Sequence, residues 1–265
     1  MARHDAGRDA AAPMRATVAT ARRPAYPVAA PRDFIASQGA TMPPPFKQMQ
    51  PQEFAQAVSQ FSWSPAKTLI HMHHTWRPNH SQYDGVNSIQ AMFNHHVNTN
   101  GWSDIAQHIS IAPDGTIWTG RPWNKSPASA VGFNSSKVFM FETIGDFDNG
   151  MDPLQGPQLD AVILVIASLM KRFSLGNSAL KFHNEMSPKS CPGTSVSKSH
   201  ILDLVEEARQ NLPGGAPGVP DGRQQELLSA AGIEAPAHEL EQVDEGEPPE
   251  HDPEYEKAIV NSLRR

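Results

Sequence analysis

Apolar residues recur at structural spacing only in the middle of this chain. Between about residues 51 and 212, short β-type runs alternate with helical stripes, and on either side the pattern stops. The folded part is therefore confined to that stretch. Residues 67–74, bounded by Pro65 and Pro78, read as a strand. Residues 86–97 carry Val86, Ile89, Met92, Phe93 and His96 at helical spacing. Residues 105–111 and 116–120 flank the turn Pro113-Asp114-Gly115 and predict a hairpin. Residues 137–144 predict another strand. Pro157 opens a helix with a stripe of Leu159, Val162, Ile163, Ile166 and Met170. A short strand at 180–182 and a helix at 200–211 complete the set. Interleaved strands and helices predict an α/β sheet with helices packed on it.

The flanks lack such spacing. Residues 1–50 are rich in Ala, Pro and Arg and predict a disordered arm. Residues 213–265 predict an acidic, Pro-rich, largely disordered tail with room for a short helix at 224–231. Residues 234–256 hold ten acidic groups and no Lys or Arg, a block that repels itself and stays solvated. No apolar run follows the early Arg residues, so no secretory signal is visible and synthesis in the cytoplasm is expected. The apolar stretch 161–170 is too short to span a bilayer. Lys and Arg number 22 against 28 Asp and Glu, a net charge of −6 that argues against a nucleic-acid partner. A single Cys excludes an intrachain disulfide. A monomer is expected.

The chemistry-bearing residues cluster. Seven of the twelve His lie between His71 and His108, and the lone Cys191 follows His183 by eight residues. Neutral imidazole and thiolate suit Zn²⁺, and a catalytic zinc keeps three protein ligands and an open position. One early-strand His with His183 and Cys191 would make such a set. The alternative is that Cys191 is a small buried thiol. In a strand, alternate residues share a face, so His71 and His73 point one way and His74 the other. His74, His95 and His96 read as surface or helix-packing imidazoles.

At His73-His74-Thr75, Gly101-Trp102-Ser103-Asp104-Ile105, Pro113-Asp114-Gly115-Thr116-Ile117, Gly120-Arg121, Gly145-Asp146-Phe147 and from His183 to Gly193, the sequence resembles the type 2 N-acetylmuramoyl-L-alanine amidases. That family includes phage endolysins, anhydromuropeptide amidases and peptidoglycan recognition proteins, and the match runs over about residues 65–210. The resemblance implies a mixed central β-sheet flanked by helices, with zinc in a surface cleft at the sheet end. It implies His73, His183 and Cys191 as zinc ligands; strand alternation, which puts His71 on the same face as His73, makes His71 the fallback for the first. The implied reaction cleaves the amide between N-acetylmuramic acid and L-alanine in peptidoglycan or a muropeptide.

The endolysin branch places a Tyr where this chain has Gln107, and an amide side chain cannot act as a base. The anhydromuropeptide branch instead places a Glu on the later strand, which here is Glu142, sharing a face with Val138, Met140 and Ile144. Glu142 is thus the expected proton shuttle and Lys189, two residues before Cys191, the expected oxyanion partner. Asn134, and Gln107 itself, are expected substrate contacts. Trp76, Trp118 and Trp123 read as a sugar groove or as core. The rival functions are a non-catalytic peptidoglycan-binding receptor, and the same amidase used as a delivered antibacterial toxin or in muropeptide recycling. The enzyme would reach periplasmic or cell-wall peptidoglycan after release or delivery.

Overall fold

The computed structural model describes residues 45–212. Expectations for residues 1–44 and 213–265, including the helix at 224–231, lie outside them. Among the described residues six strands form one sheet in the order β1-β4-β3-β5-β2-β6. They are β1 (Gln48–Met49), β2 (Leu69–His74), β3 (Ile109–Ile111), β4 (Ile117–Thr119), β5 (Val138–Thr143) and β6 (Leu180–Phe182). β3 and β4 form the expected antiparallel hairpin and β1 pairs antiparallel to β4, while β3, β5, β2 and β6 run parallel to one another. The sheet is therefore mixed. Among the described residues four α-helices accompany it: α1 (Pro51–Gln60), α2 (Gly85–Asn94), α3 (Gly156–Phe173) and α4 (Lys198–Asn211).

Strand alternation sorts the two faces. Ile70 and Met72 of β2, Phe139 and Phe141 of β5, and Ile109 and Ile111 of β3 join one core with Phe54 and Val58 of α1, Val162, Ile166 and Leu169 of α3, and Ile201 and Val205 of α4. The opposite face meets Ile89, Met92 and Phe93 of α2, together with Trp118 and Ile144. α3 follows its sequence signals. Pro157 stands in its first turn, Lys171 and Arg172 lie in its last, and Ser174 ends it in the left-handed conformation.

Two boundaries differ from expectation. The arm assigned to residues 1–50 gives up its last residues to the fold. Gln48 and Met49 pair with Trp118 and Ile117, and Phe46 packs edge-on against Phe93 with ring centroids 5.9 Å apart. α1 was not anticipated. Its signals were Pro51 in the first turn, a Gln50 N–H donated to Glu53 Oε2 at 2.6 Å, and Phe54, Ala57, Val58 and Phe61 at helical spacing. The other discrepancy is at β3, where regular pairing starts only at Ile109, so residues 105–108 reach the sheet as irregular chain.

Candidate active site

Sheet register assembles the candidate metal donors. Met72 pairs with Phe182, so His73, the next residue of β2, and His183, which follows the end of β6, emerge side by side with ring centroids 4.3 Å apart. The chain after His183 loops back to bring in Cys191. Asn184 N–H donates to the Cys191 carbonyl at 2.8 Å, and His74 N–H donates to Cys191 Sγ at 3.3 Å. Gly193 closes the loop at φ +116, where any Cβ would run into the Phe147 carbonyl. Asp148 braces the outside, accepting from Ser190 Oγ at 3.0 Å and Thr194 N–H at 2.9 Å.

The donor atoms of His73, His183 and Cys191 all lie within 4.8 Å of one another, and all three residues are buried. Cys191 Sγ stands 3.6 Å from His73 Nδ1. A tetrahedral ion at ~2.1 Å from nitrogen and ~2.3 Å from sulfur separates those atoms by about 3.6 Å. Burial, then the neighbouring His183 and His71, hold His73 well below the usual histidine range, so it is neutral at pH 7. Neutral imidazole is the ligating form. The residues fit a zinc ion. Among the described residues this is the one cluster of at least three such donors.

Glu142 shares the face of His73, its register partner across β2 and β5, and it also pairs with Ser110 of β3. It is 3% exposed, and its Oε2 has no hydrogen-bond partner among the described residues. Burial pushes its carboxyl up to about 8. A group that titrates there exchanges protons readily near neutral pH. Lys189 sits on the ligand loop, partly exposed, and its charge is one of those that depress His73.

Other expected site residues sit elsewhere. Gln107 is fully buried and donates from Nε2 to Ser110 Oγ at 2.8 Å, so no substrate group reaches it in this conformation. Asn134 spends its Oδ1 on the N–H groups of Ser129 and Ala130, at 2.7 and 3.1 Å, which makes it a loop staple. Trp123 stacks on Trp63 with centroids 5.2 Å apart, and Trp118 donates from its indole to Tyr83, so both belong to the packing and not to a sugar groove. Trp76 is half-buried under the Arg77 guanidinium. His74 faces away from His73, as alternation requires, and its Nδ1 accepts the Phe147 N–H at 3.2 Å. His74, His95 and His96 are buried, so they are packing imidazoles and not surface ones.

His71 is buried on the His73 face and held down to about 4 by burial and by His183. It is absent from the donor cluster, which leaves His73 as the strand's contribution. Sequence reasoning missed Ser129. Its hydroxyl lies 2.8 Å from His71 Nδ1 and 2.7 Å from His73 Nε2.

The mixed sheet thus gathers two imidazoles, a thiol and a buried carboxyl near the ends of its central strands. Residues 63–194 match the N-acetylmuramoyl-L-alanine amidase family, and the domain belongs to the superfamily of type 2 amidases and peptidoglycan recognition proteins. Peptidoglycan-recognition protein LB of Drosophila melanogaster is 33% identical over 132 residues, which cover 49% of this chain and 55% of that protein. The endolysin of Escherichia phage T7 is 26% identical over 103 residues, covering 37% of this chain and 65% of that protein. The match thus spans less than two thirds of either relative. The solved structure of Drosophila PGRP-LB superposes with a TM-score of 0.45 at 26% identity, covering 62% of this chain and 87% of that one.

Proposed function

We propose that the protein is a zinc-dependent N-acetylmuramoyl-L-alanine amidase that cleaves the amide between N-acetylmuramic acid and L-alanine in peptidoglycan. The observation that carries this reading is the convergence of His73, His183 and Cys191 within 4.8 Å beside a buried Glu142. The three donors would hold zinc, which when bound lowers the pKa of water and polarises a carbonyl. Glu142 takes the proton from the attacking water and returns it to the departing L-alanine amine. Lys189 places its ammonium beside the oxygen that gathers negative charge. With Gln107 buried and non-basic, Glu142 is the carboxylate that the resemblance puts at the site.

The test is digestion of purified muropeptide with product masses read by mass spectrometry, alongside zinc content. The expected result is one zinc per chain and scission at the lactyl–L-alanine amide. Cys191→Ala should lose both. Zinc-loaded protein that binds muropeptide and leaves it intact would favour the second reading, a peptidoglycan receptor. That reading draws on Gln107 standing where the endolysins carry Tyr. Action as a released or delivered lytic enzyme, and as a monomer, belongs to the same proposal.

A further inference from the structure

Ser129 stands in a loop that the proposed chemistry does not use. It is fully buried, and its backbone is fixed on both sides. Its own N–H and that of Ala130 donate to Asn134 Oδ1, Phe133 N–H donates to the Ala130 carbonyl at 2.9 Å, and Ala128 N–H donates to the Ala106 carbonyl at 3.1 Å. Its hydroxyl is therefore held between the rings of His71 and His73, at 2.8 and 2.7 Å.

We propose that Ser129 is the positioning residue of the metal centre, selecting the tautomer in which His73 offers Nδ1 as a ligand atom. This inference rests on the reading of His73, His183 and Cys191 as metal ligands. The hydrogen count runs in one direction. His73 Nδ1 faces Cys191 Sγ at 3.6 Å, so a ligating ring carries its proton on Nε2. That N–H donates to Ser129 Oγ. The hydroxyl owns one proton, which then points at His71 Nδ1 and makes His71 an acceptor there. His71 in turn keeps its proton on Nε2, an atom with no partner among the described residues. One serine thus fixes two rings. His71, which the sequence offered as a fallback ligand, becomes the terminus of the relay. Asn134, expected to touch substrate, holds the serine in place.

The experiment uses the full chain as purified, labelled with ¹⁵N-histidine, and compares wild type, Ser129→Ala and Ser129→Thr. Tautomers are read from one- and multi-bond ¹⁵N–¹H correlations after zinc is removed by a chelator, because zinc on Nδ1 would itself hold the proton on Nε2, and zinc affinity is read from competition with a chelator. In wild type, His73 and His71 are both expected to carry the proton on Nε2. Ser129→Ala should erase that preference and weaken zinc binding by about 10–100-fold, the usual effect of losing such a partner. Ser129→Thr keeps the hydroxyl and should keep both properties. A proton on His73 Nδ1 in wild type, or unchanged tautomers and affinity in Ser129→Ala, overturns the proposal. If Ser129→Ala does not fold, the wild-type tautomers alone decide. His73→Ala separates the two readings, because zinc kept at wild-type affinity there would sink the ligand set itself, whatever Ser129 does.

Discussion

Replacing Glu142 by Gln should weaken the enzyme and strengthen the fold, and the two effects have one cause. The carboxyl titrates at about 8 in the folded chain, against 4.5 for an ordinary Glu. Below pH 4.5 it is protonated in both states and contributes nothing to the pH dependence. Between 4.5 and 8 the unfolded chain releases the proton while the folded chain keeps it, so stability falls as pH rises. Above pH 8 the loss levels off. At about 1.36 kcal/mol per pH unit, the accumulated cost is about 5 kcal/mol. Glu142→Gln removes that cost and retains the shape. Urea unfolding in chelator at pH 4.5 and 8.5 measures it. Chelator matters because a bound cation would favour the ionised form and pull the carboxyl back down. The variant should match wild type at pH 4.5 and exceed it by several kcal/mol at 8.5. The comparison cancels Lys67 and the buried histidines, which also titrate but are common to both proteins. Muropeptide turnover should fall by about 10²–10⁴-fold, the usual worth of a general base. Parallel stability curves for the two proteins would mean that Glu142 is solvated, and the argument for its role as proton shuttle would go with them.

Three further outcomes are expected. Glu185→Gln should leave turnover unchanged and cost at most about 1 kcal/mol in thermal unfolding, because its carboxylate is tied to Lys198 Nζ and the Phe182 N–H and not to the site. Gln107→Tyr should not rescue Glu142→Gln. The larger ring must enter a fully buried position, so calorimetry should show a loss of about 1–3 kcal/mol. A 52–212 fragment should unfold at lower urea than a 45–212 fragment by more than about 3 kcal/mol, since it lacks the buried side chains of Phe46 and Met49.

The strands and helices that read well from sequence are those whose stripes were long enough to show a period. The stripe from Leu159 to Met170 is one, and the alternation across His71, Met72 and His73 is another. β1 was not legible because two residues carry no period; it exists only because β4 offers an edge to Gln48 and Met49. The donor set was legible because it is local in an unusual way. One strand and one short loop supply all of it, and parallel pairing of β2 with β6 does the rest. Gln107 is singled out by its match to the endolysin Tyr position, and its burial was not legible because residues 105–108 read as regular strand. The irregular chain before Ile109 instead carries the amide to Ser110. Ser129 left no trace in the sequence. It lies in a loop without periodicity, and its partners are 58 and 56 residues away.

The sheet divides the chain's investments by face, and the division explains where substitutions will act. Ile70, Met72, Phe139 and Phe141 meet α1 and α3 in a continuous apolar layer, so changes there act through packing. On the other face the same two strands present His71, His73 and Glu142, with Ser110, Ser129 and Gln107 against them, all buried. Burying so many polar groups costs stability unless each finds a partner. Here Glu142 Oε2, His71 Nε2 and Gln107 Oε1 find none among the described residues. A fold selected for stability alone would fill that face with aliphatic side chains. Of these, Glu142 Oε2 belongs to the strand partner of His73, one of the three candidate donors. That is the physical signature of a site whose local rules give way to its chemistry.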